Sequence, residues 1–126
     1  MIKILLAEDE TVMREYLTRA LERSGYSVTA VDRGTDAYAL FQAGEHFDLL
    51  LTDIMMPEMD GIELSQKVQV LVPGIKIMFI TGFSAVSMRA GKTMPSAKLL
   101  SKPFHLRDLV LEVERMFEPE SWSRHL

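Results

Sequence analysis

The sequence predicts an α/β protein in which five parallel strands form one doubly wound sheet with helices on both faces. Short, nearly continuous apolar runs alternate along the chain with segments in which apolar residues recur at helical spacing. Such runs are typical of strands that are buried on both faces of a parallel sheet. Right-handed crossovers between the strands place helices on both sides of it.

The first part of the chain alternates strand and helix twice. Residues 2–7 form the first apolar run, and residues 28–31 contain the second strand. The stripe of the first amphipathic helix is Met13, Tyr16, Leu17, Ala20 and Leu21, and that of the second is Ala37, Leu40 and Phe41. Gly25 and Gly44 are predicted to end these helices, and Gly34 to open the turn before the second.

The third strand, residues 47–52, runs directly into Asp53, and a third helix follows a turn. Asp60 is an acceptor at the N-cap and Glu63 lies three residues later, which is typical of a capping box. The buried stripe of this helix is predicted to be Leu64, Val68 and Leu71, and Pro73-Gly74 to end it.

The last part of the chain contains two more strands, residues 75–80 and 98–101. Between them, residues 84–91 are mostly small and end in glycine, which predicts only a short helix. The last helix has a long stripe, namely Leu106, Leu109, Val110, Val113, Met116 and Phe117. We therefore expect one domain over residues 1–118, a tail over residues 119–126 that contains Trp122, and no output domain.

Composition narrows the class of protein. A chain of 126 residues is the size of one domain, and without cysteine it forms neither a disulfide framework nor a thiolate zinc site. The formal charge of −4 argues against nucleic acid as a direct partner. No apolar run reaches membrane-spanning length, and the first is too short for a secretion signal, so we expect a cytoplasmic protein without a membrane partner.

Five polar side chains follow the ends of the predicted strands: Glu8, Asp9, Asp53, Thr81 and Lys102. Because the carboxyl ends of parallel strands meet at one edge of the sheet, these side chains should converge there. A single aspartate at a strand end is usually a cap or a turn residue, but three carboxylates packed together without a cation repel one another. The set therefore indicates a divalent metal ion and a phosphoryl group.

The motifs around these residues resemble those of bacterial response-regulator receiver domains, the CheY-like family. They are Glu8-Asp9, residues 53–61, Thr81-Gly82 and residues 102–104, and the resemblance extends over residues 2–117. It implies the flavodoxin-like strand order 2-1-3-4-5. It also implies that Asp53 accepts a phosphoryl group from a histidine kinase or a histidine phosphotransferase.

The same resemblance implies the roles of the remaining site residues. Mg²⁺ would be bound by Glu8, Asp9, Asp53 and the backbone carbonyl of Met55. Thr81 would donate its hydroxyl to the phosphate, and Lys102 would pair with the acceptor or the phosphate. The chain would then be a signalling protein and not an enzyme, since it would catalyse only its own phosphorylation and dephosphorylation.

A narrower resemblance, to single-domain receivers that regulate the cell cycle, rests on residues 7–9, 50–54, 76–83 and 100–110. It implies that the unphosphorylated form binds the ClpX unfoldase of the ClpXP protease as an adaptor. A phosphorelay intermediate or phosphate sink without its own effector is the alternative. An aspartyl phosphatase is disfavoured because Met55 stands where a second acid is usual, and a flavodoxin because Glu8-Asp9-Glu10 replaces a phosphate loop.

Three residues depart from the receiver pattern. Leu99 occupies the position of a common aromatic switch residue, so we expect phosphorylation to change the order of residues 84–95 instead. Met55 and Phe83, which flank the phosphate in the family, are apolar and cannot orient a water molecule. They predict slow hydrolysis of the phosphorylated form.

Overall fold

The computed structural model describes residues 1–82, 94 and 97–118. The five strands are β1 (Lys3–Ala7), β2 (Ser27–Val31), β3 (Leu49–Asp53), β4 (Lys76–Thr81) and β5 (Lys98–Ser101). The helices in this part are α1 (Thr11–Arg23), α2 (Gly34–Gln42), α3 (Gly61–Leu71) and α4 (Leu106–Met116). The helix predicted over residues 84–91, Phe83 and the Trp122 tail lie outside the described residues.

All strand pairs are parallel, and their order across the sheet is β2-β1-β3-β4-β5. This confirms the predicted fold class and strand order. The order reverses direction between β1 and β3, which lie side by side in the sheet. Ligands of such sheets bind beyond the carboxyl ends of the strands at this reversal.

Two apolar layers cover the sheet, one on each face. Leu5 of β1 and Leu50 of β3 point into the layer under α2 and α3, where they pack with Ala37 and Leu64. The alternate strand residues, Ile4, Leu6, Leu49 and Leu51, pack with residues of α1 and α4. Successive strand side chains point to opposite faces, so burial on both faces explains the continuous apolar runs.

The helix ends follow the predicted chemistry. Gly25 and Gly44 have φ angles of 96° and 85°, the left-handed conformation that ends a helix and that glycine adopts without strain. Asp60 caps α3, because its carboxylate accepts a hydrogen bond from the Glu63 N–H at 2.8 Å. The capping prediction for Asp60 is therefore confirmed.

Three details of the predicted pattern are wrong. Tyr16 is 58% exposed, since it stands about 100° around α1 from the buried Leu17. Leu71 is 44% exposed, because it is the last residue of α3 and lines a surface depression together with Phe41. Gly34 is the first residue of α2 and not a turn residue, and it is buried.

None of the helices in the described part of the chain has the length and apolar character needed to cross a membrane.

Candidate functional site

Three carboxylates meet at the point where the strand order reverses. Glu8 and Asp9 directly follow β1, and Asp53 is the last residue of the neighbouring strand β3. One oxygen from each lies within 4.8 Å of the others, although Asp9 is exposed while Glu8 and Asp53 are buried. The predicted convergence of these three residues is therefore what the fold produces.

Glu8 is held firmly at the end of β1. Its N–H donates to the Val31 carbonyl at 3.1 Å, and its side-chain Oε2 accepts from the Glu10 N–H at 3.2 Å. Its other oxygen, Oε1, is buried and has no hydrogen-bond partner among the described residues. A buried acceptor without a partner is expensive, so this oxygen is an open coordination point.

The environment of Glu8 disfavours its ionised form. Burial of the side chain and, second, the negative charge of Asp53 raise the pKa of Glu8 to about 7, although the Glu10 N–H and the Lys102 ammonium act against this shift. Without a cation, the site therefore disfavours a second negative charge beside Asp53. A cation bound here would favour the ionised form of Glu8 through its positive charge.

Lys102 brings the one ammonium group that the described residues place among these carboxylates. Its Nζ lies 3.5 Å from Asp53 Oδ2 and 3.7 Å from Glu8 Oε1, the second distance being an ion pair longer than a hydrogen bond. Its backbone N–H donates to the Thr81 carbonyl at 2.7 Å, which fixes the residue just past β5 beside the end of β4. The side chain thus bridges two of the three acids.

Thr81 ends β4 and is buried beside the site. In the pairing of β3 with β4, Asp53 lies opposite Ile80, so Thr81 stands one residue further toward the carboxyl edge. The fold therefore brings all five predicted side chains to one edge of the sheet. Their individual roles, and that of the Met55 carbonyl, remain predictions.

Two residues that the sequence did not single out also support the site. Gly61 begins α3 so close to β3 that a Cβ atom there would lie 2.2 Å from the Asp53 carbonyl oxygen, which any other residue would have to displace. The Thr52 hydroxyl donates to the same carbonyl oxygen at 2.8 Å. Asp60 is predicted only as an N-cap, and Gly61 only as part of the motif of residues 53–61, because the return of this short loop to the Asp53 carbonyl has no signature in residue spacing.

The residues present fit a hard divalent cation. Three carboxylates offer oxygen ligands, which Mg²⁺ prefers, and among them is Glu8 Oε1, which accepts no hydrogen bond from the described residues. The loop that follows Asp53 stays accessible, since the Met55 side chain is 51% exposed. The edge can therefore admit a further, larger group next to Asp53.

Comparison with known proteins agrees with this geometry. The Response regulator receiver domain family matches residues 4–114. The response regulator receiver protein CpdR of Brucella abortus is 57% identical over 117 residues, which is 92% of this chain and 97% of that protein. The sensor kinase CckA of the same organism is 34% identical over 121 residues, which is 93% of this chain but only 13% of the kinase.

Solved structures lead to the same family. A response regulator receiver protein from Sinorhizobium medicae superimposes with a TM-score of 0.85 at 28% identity, over 91% of this chain and 93% of that one. The family match, the identity to CpdR and the shared sheet order agree with the cluster of Glu8, Asp9 and Asp53 at the carboxyl edge of the sheet, which is called the acidic edge below. This chain belongs to the response-regulator receiver domain family and is a signalling protein of the two-component type.

Proposed function

We propose that this chain is a phosphorylation-controlled switch in which Asp53 accepts a phosphoryl group from a phosphohistidine. One observation carries the proposal. The Asp53 carboxylate belongs to the acidic cluster and also lies 3.5 Å from the Lys102 ammonium, at the reversal of the sheet. A carboxylate in such a place is a suitable acceptor for a negatively charged group.

The cation required is Mg²⁺, held by Glu8, Asp9, Asp53 and the Met55 backbone carbonyl. Glu8 Oε1 supports this assignment, since it is a buried oxygen that accepts no hydrogen bond from the described residues. When bound, Mg²⁺ neutralises charge on the incoming phosphoryl group. Bound there, it would also favour the ionised form of Glu8, whose pKa is raised by burial and, second, by the negative charge of Asp53.

The transfer itself needs little besides positioning and charge. An oxygen of Asp53 attacks phosphorus while the phosphorus–nitrogen bond of the donor breaks, and the electron pair stays on the imidazole nitrogen, which takes a proton from solvent. The Lys102 ammonium stabilises the negative charge of the transferred group. The Thr81 hydroxyl, at the end of β4, donates to one of its oxygens.

The donor would dock beside this edge. Next to Lys102 the surface forms a mainly apolar hollow of about 400 Å³, lined from α1 by Met13 and Tyr16 and from the other side by Pro103, Phe104 and Leu106. An apolar hollow adjoining the acceptor suits the helix of a histidine kinase or a histidine phosphotransferase. Tyr16, whose side chain is more than half exposed, is accessible for such a contact.

The output would be binding to a partner protein. The 57% identity to CpdR, along nearly the whole of both chains, supports a function of the same kind. We assign the ClpX unfoldase as the partner of the unphosphorylated form, so that the chain acts as an adaptor of the ClpXP protease. A phosphorelay intermediate or phosphate sink is the second candidate, supported by the similarity to part of the sensor kinase CckA.

Intact mass spectrometry after incubation with Mg²⁺ and a small phosphodonor tests the phosphorylation step. The parent and Asp48→Asn should each gain one phosphoryl group and Asp53→Asn none, since Asp48 precedes the other end of the same strand, β3. Phosphorylation of Asp53→Asn, or of no protein, would contradict the assignment. Affinity capture with Asp53→Asn then separates the outputs: ClpX supports the adaptor, and histidine phosphotransferases alone support the relay.

A further inference from the structure

Arg14 reaches from the first turn of α1 back to the acidic edge. Its Nη1 donates to the backbone carbonyl of Glu8 at 2.9 Å, and its own backbone N–H donates to the Glu10 carbonyl at 2.9 Å. Its side chain thus spans the loop between β1 and α1, and the side chain is half-buried there. A charged donor to a carbonyl makes one of the stronger hydrogen bonds of a protein.

The contact with Arg14 adds a third hydrogen bond that holds Glu8 in place. The N–H of Glu8 is bonded to Val31, and its Oε2 is bonded to the Glu10 N–H. The guanidinium of Arg14 holds the remaining backbone group, the carbonyl that leads into Asp9. Glu8 is therefore anchored at three points, while its Oε1 accepts no hydrogen bond from any residue that the structure describes.

We propose that Arg14 is a positioning residue for the cation site. It holds the peptide between Glu8 and Asp9 so that the two consecutive carboxylates present oxygens on the side of Asp53. The inference rests on the proposed function in that the cation is the Mg²⁺ of the phosphorylation site. Outer contacts of this kind orient metal ligands, and their loss commonly weakens metal binding about 10- to 100-fold.

The proposal predicts an effect opposite in sign to simple electrostatics. Arg14 is a cation near three carboxylates, so removing its charge alone would strengthen Mg²⁺ binding by reducing repulsion between cations. Removing its hydrogen bond to the Glu8 carbonyl would instead release the peptide and weaken Mg²⁺ binding. The direction of the change therefore identifies which property of Arg14 matters.

Isothermal titration calorimetry with MgCl₂ provides the test, because it needs neither a phosphodonor nor a partner. Arg14→Met, which keeps the length of the side chain without charge or donor, should raise the dissociation constant of Mg²⁺ about tenfold. Arg14→Lys, which keeps a charged donor, should restore part of the affinity. Arg19→Met is the matched control, since it removes the same charge from an exposed position of the same helix.

The outcomes separate this proposal from the one on which it depends. Unchanged or tighter Mg²⁺ binding by Arg14→Met overturns the positioning role. Equal weakening by Arg19→Met also overturns it, because the loss would then not depend on the hydrogen bond to the Glu8 carbonyl. Absence of Mg²⁺ binding in the parent overturns the proposed cation site itself. Urea unfolding in EDTA checks that each variant is folded, so that a lower affinity reflects the site.

Discussion

Asp48 at the amino-terminal edge of the sheet and Glu8 at the carboxyl-terminal edge have pKa values that are shifted in opposite directions. At the amino-terminal edge, the Lys3 N–H donates to Asp48 at 2.8 Å and His46 lies 3.0 Å from its other oxygen, so the pKa of Asp48 is lowered, chiefly by the backbone hydrogen bond. At the carboxyl-terminal edge, burial is the main cause that raises the pKa of Glu8 to about 7. The neighbours of Asp48 stabilise its ionised form, whereas the surroundings of Glu8 destabilise its ionised form. That difference distinguishes a structural acid from a functional one.

The largest effect should appear in the pH dependence of stability without metal. The folded chain keeps a proton on Glu8 that the unfolded chain loses, so the folded state binds more protons between the ordinary pKa of 4.5 and about 7. The free energy of unfolding in EDTA should therefore fall across this window, by about 3 kcal/mol in total. Glu8→Gln, which mimics the protonated acid, should lack the decline. Urea unfolding at several pH values measures both.

Asp48→Asn is the control for this measurement, because it changes an acid at the opposite edge. It should keep the decline between pH 4.5 and 7, since it leaves Glu8 untouched. A parent protein whose stability rises over the window would show that Glu8 is not destabilised. A decline that survives in Glu8→Gln would assign it to another group.

The second effect is the response of the acidic edge to Mg²⁺. Near pH 8 the added cation should stabilise the parent, because it binds the folded site and not the unfolded chain. At a concentration ten times the dissociation constant, the gain is about 1.4 kcal/mol. Glu8→Gln should gain less, since its amide cannot supply a charged ligand. Thermal or urea unfolding with MgCl₂, against KCl of equal ionic strength, separates specific binding from screening; equal gains in the two salts would refute a site.

The third effect tests the amino-terminal edge. Asp48→Asn should lower the free energy of unfolding at pH 7 by about 1 kcal/mol, since it weakens the hydrogen bond from the Lys3 N–H. The lowered pKa of Asp48 means that its contribution is present above the ordinary value of 3.8 and is lost as the pH falls through the folded pKa. The loss should not depend on Mg²⁺. If Mg²⁺ restored the stability that Asp48→Asn loses, Asp48 would be linked to the metal site, and the two edges would not differ in this respect.

The sequence predicts most of the fold because its signals are local. Continuous apolar runs identify β1 and β3, and Gly25 and Gly44 end helices through a backbone conformation that favours glycine. The site residues were predicted for a similar reason, because each follows the end of an apolar run and parallel strands bring those ends together.

The rest depends on how short loops fold back onto the ends of the strands. Gly61 is required by the Asp53 carbonyl behind it, and Arg14 matters through a carbonyl that its side chain reaches across a loop. Neither contact is encoded by spacing. Leu99 is 40% exposed on the edge strand β5, and the change of order predicted for residues 84–95 lies outside the described residues except at the buried Met94.

The smallest effect concerns the exposed neighbour of the acidic edge. Met55 lies two residues past Asp53 with its side chain half exposed and apolar, so it offers a water molecule no hydrogen bond. Met55→Asn supplies an amide that can orient water toward the phosphoryl group, and we expect hydrolysis to become a few-fold faster, about 1 kcal/mol or less in the barrier. The decay of the phosphorylated protein, followed by intact mass, measures it. Met55→Leu is the matched control, since it stays apolar at similar size. Equal decay in all three proteins would mean that water reaches the phosphoryl group without help from this position, and that the acidic edge alone sets the lifetime of the signal.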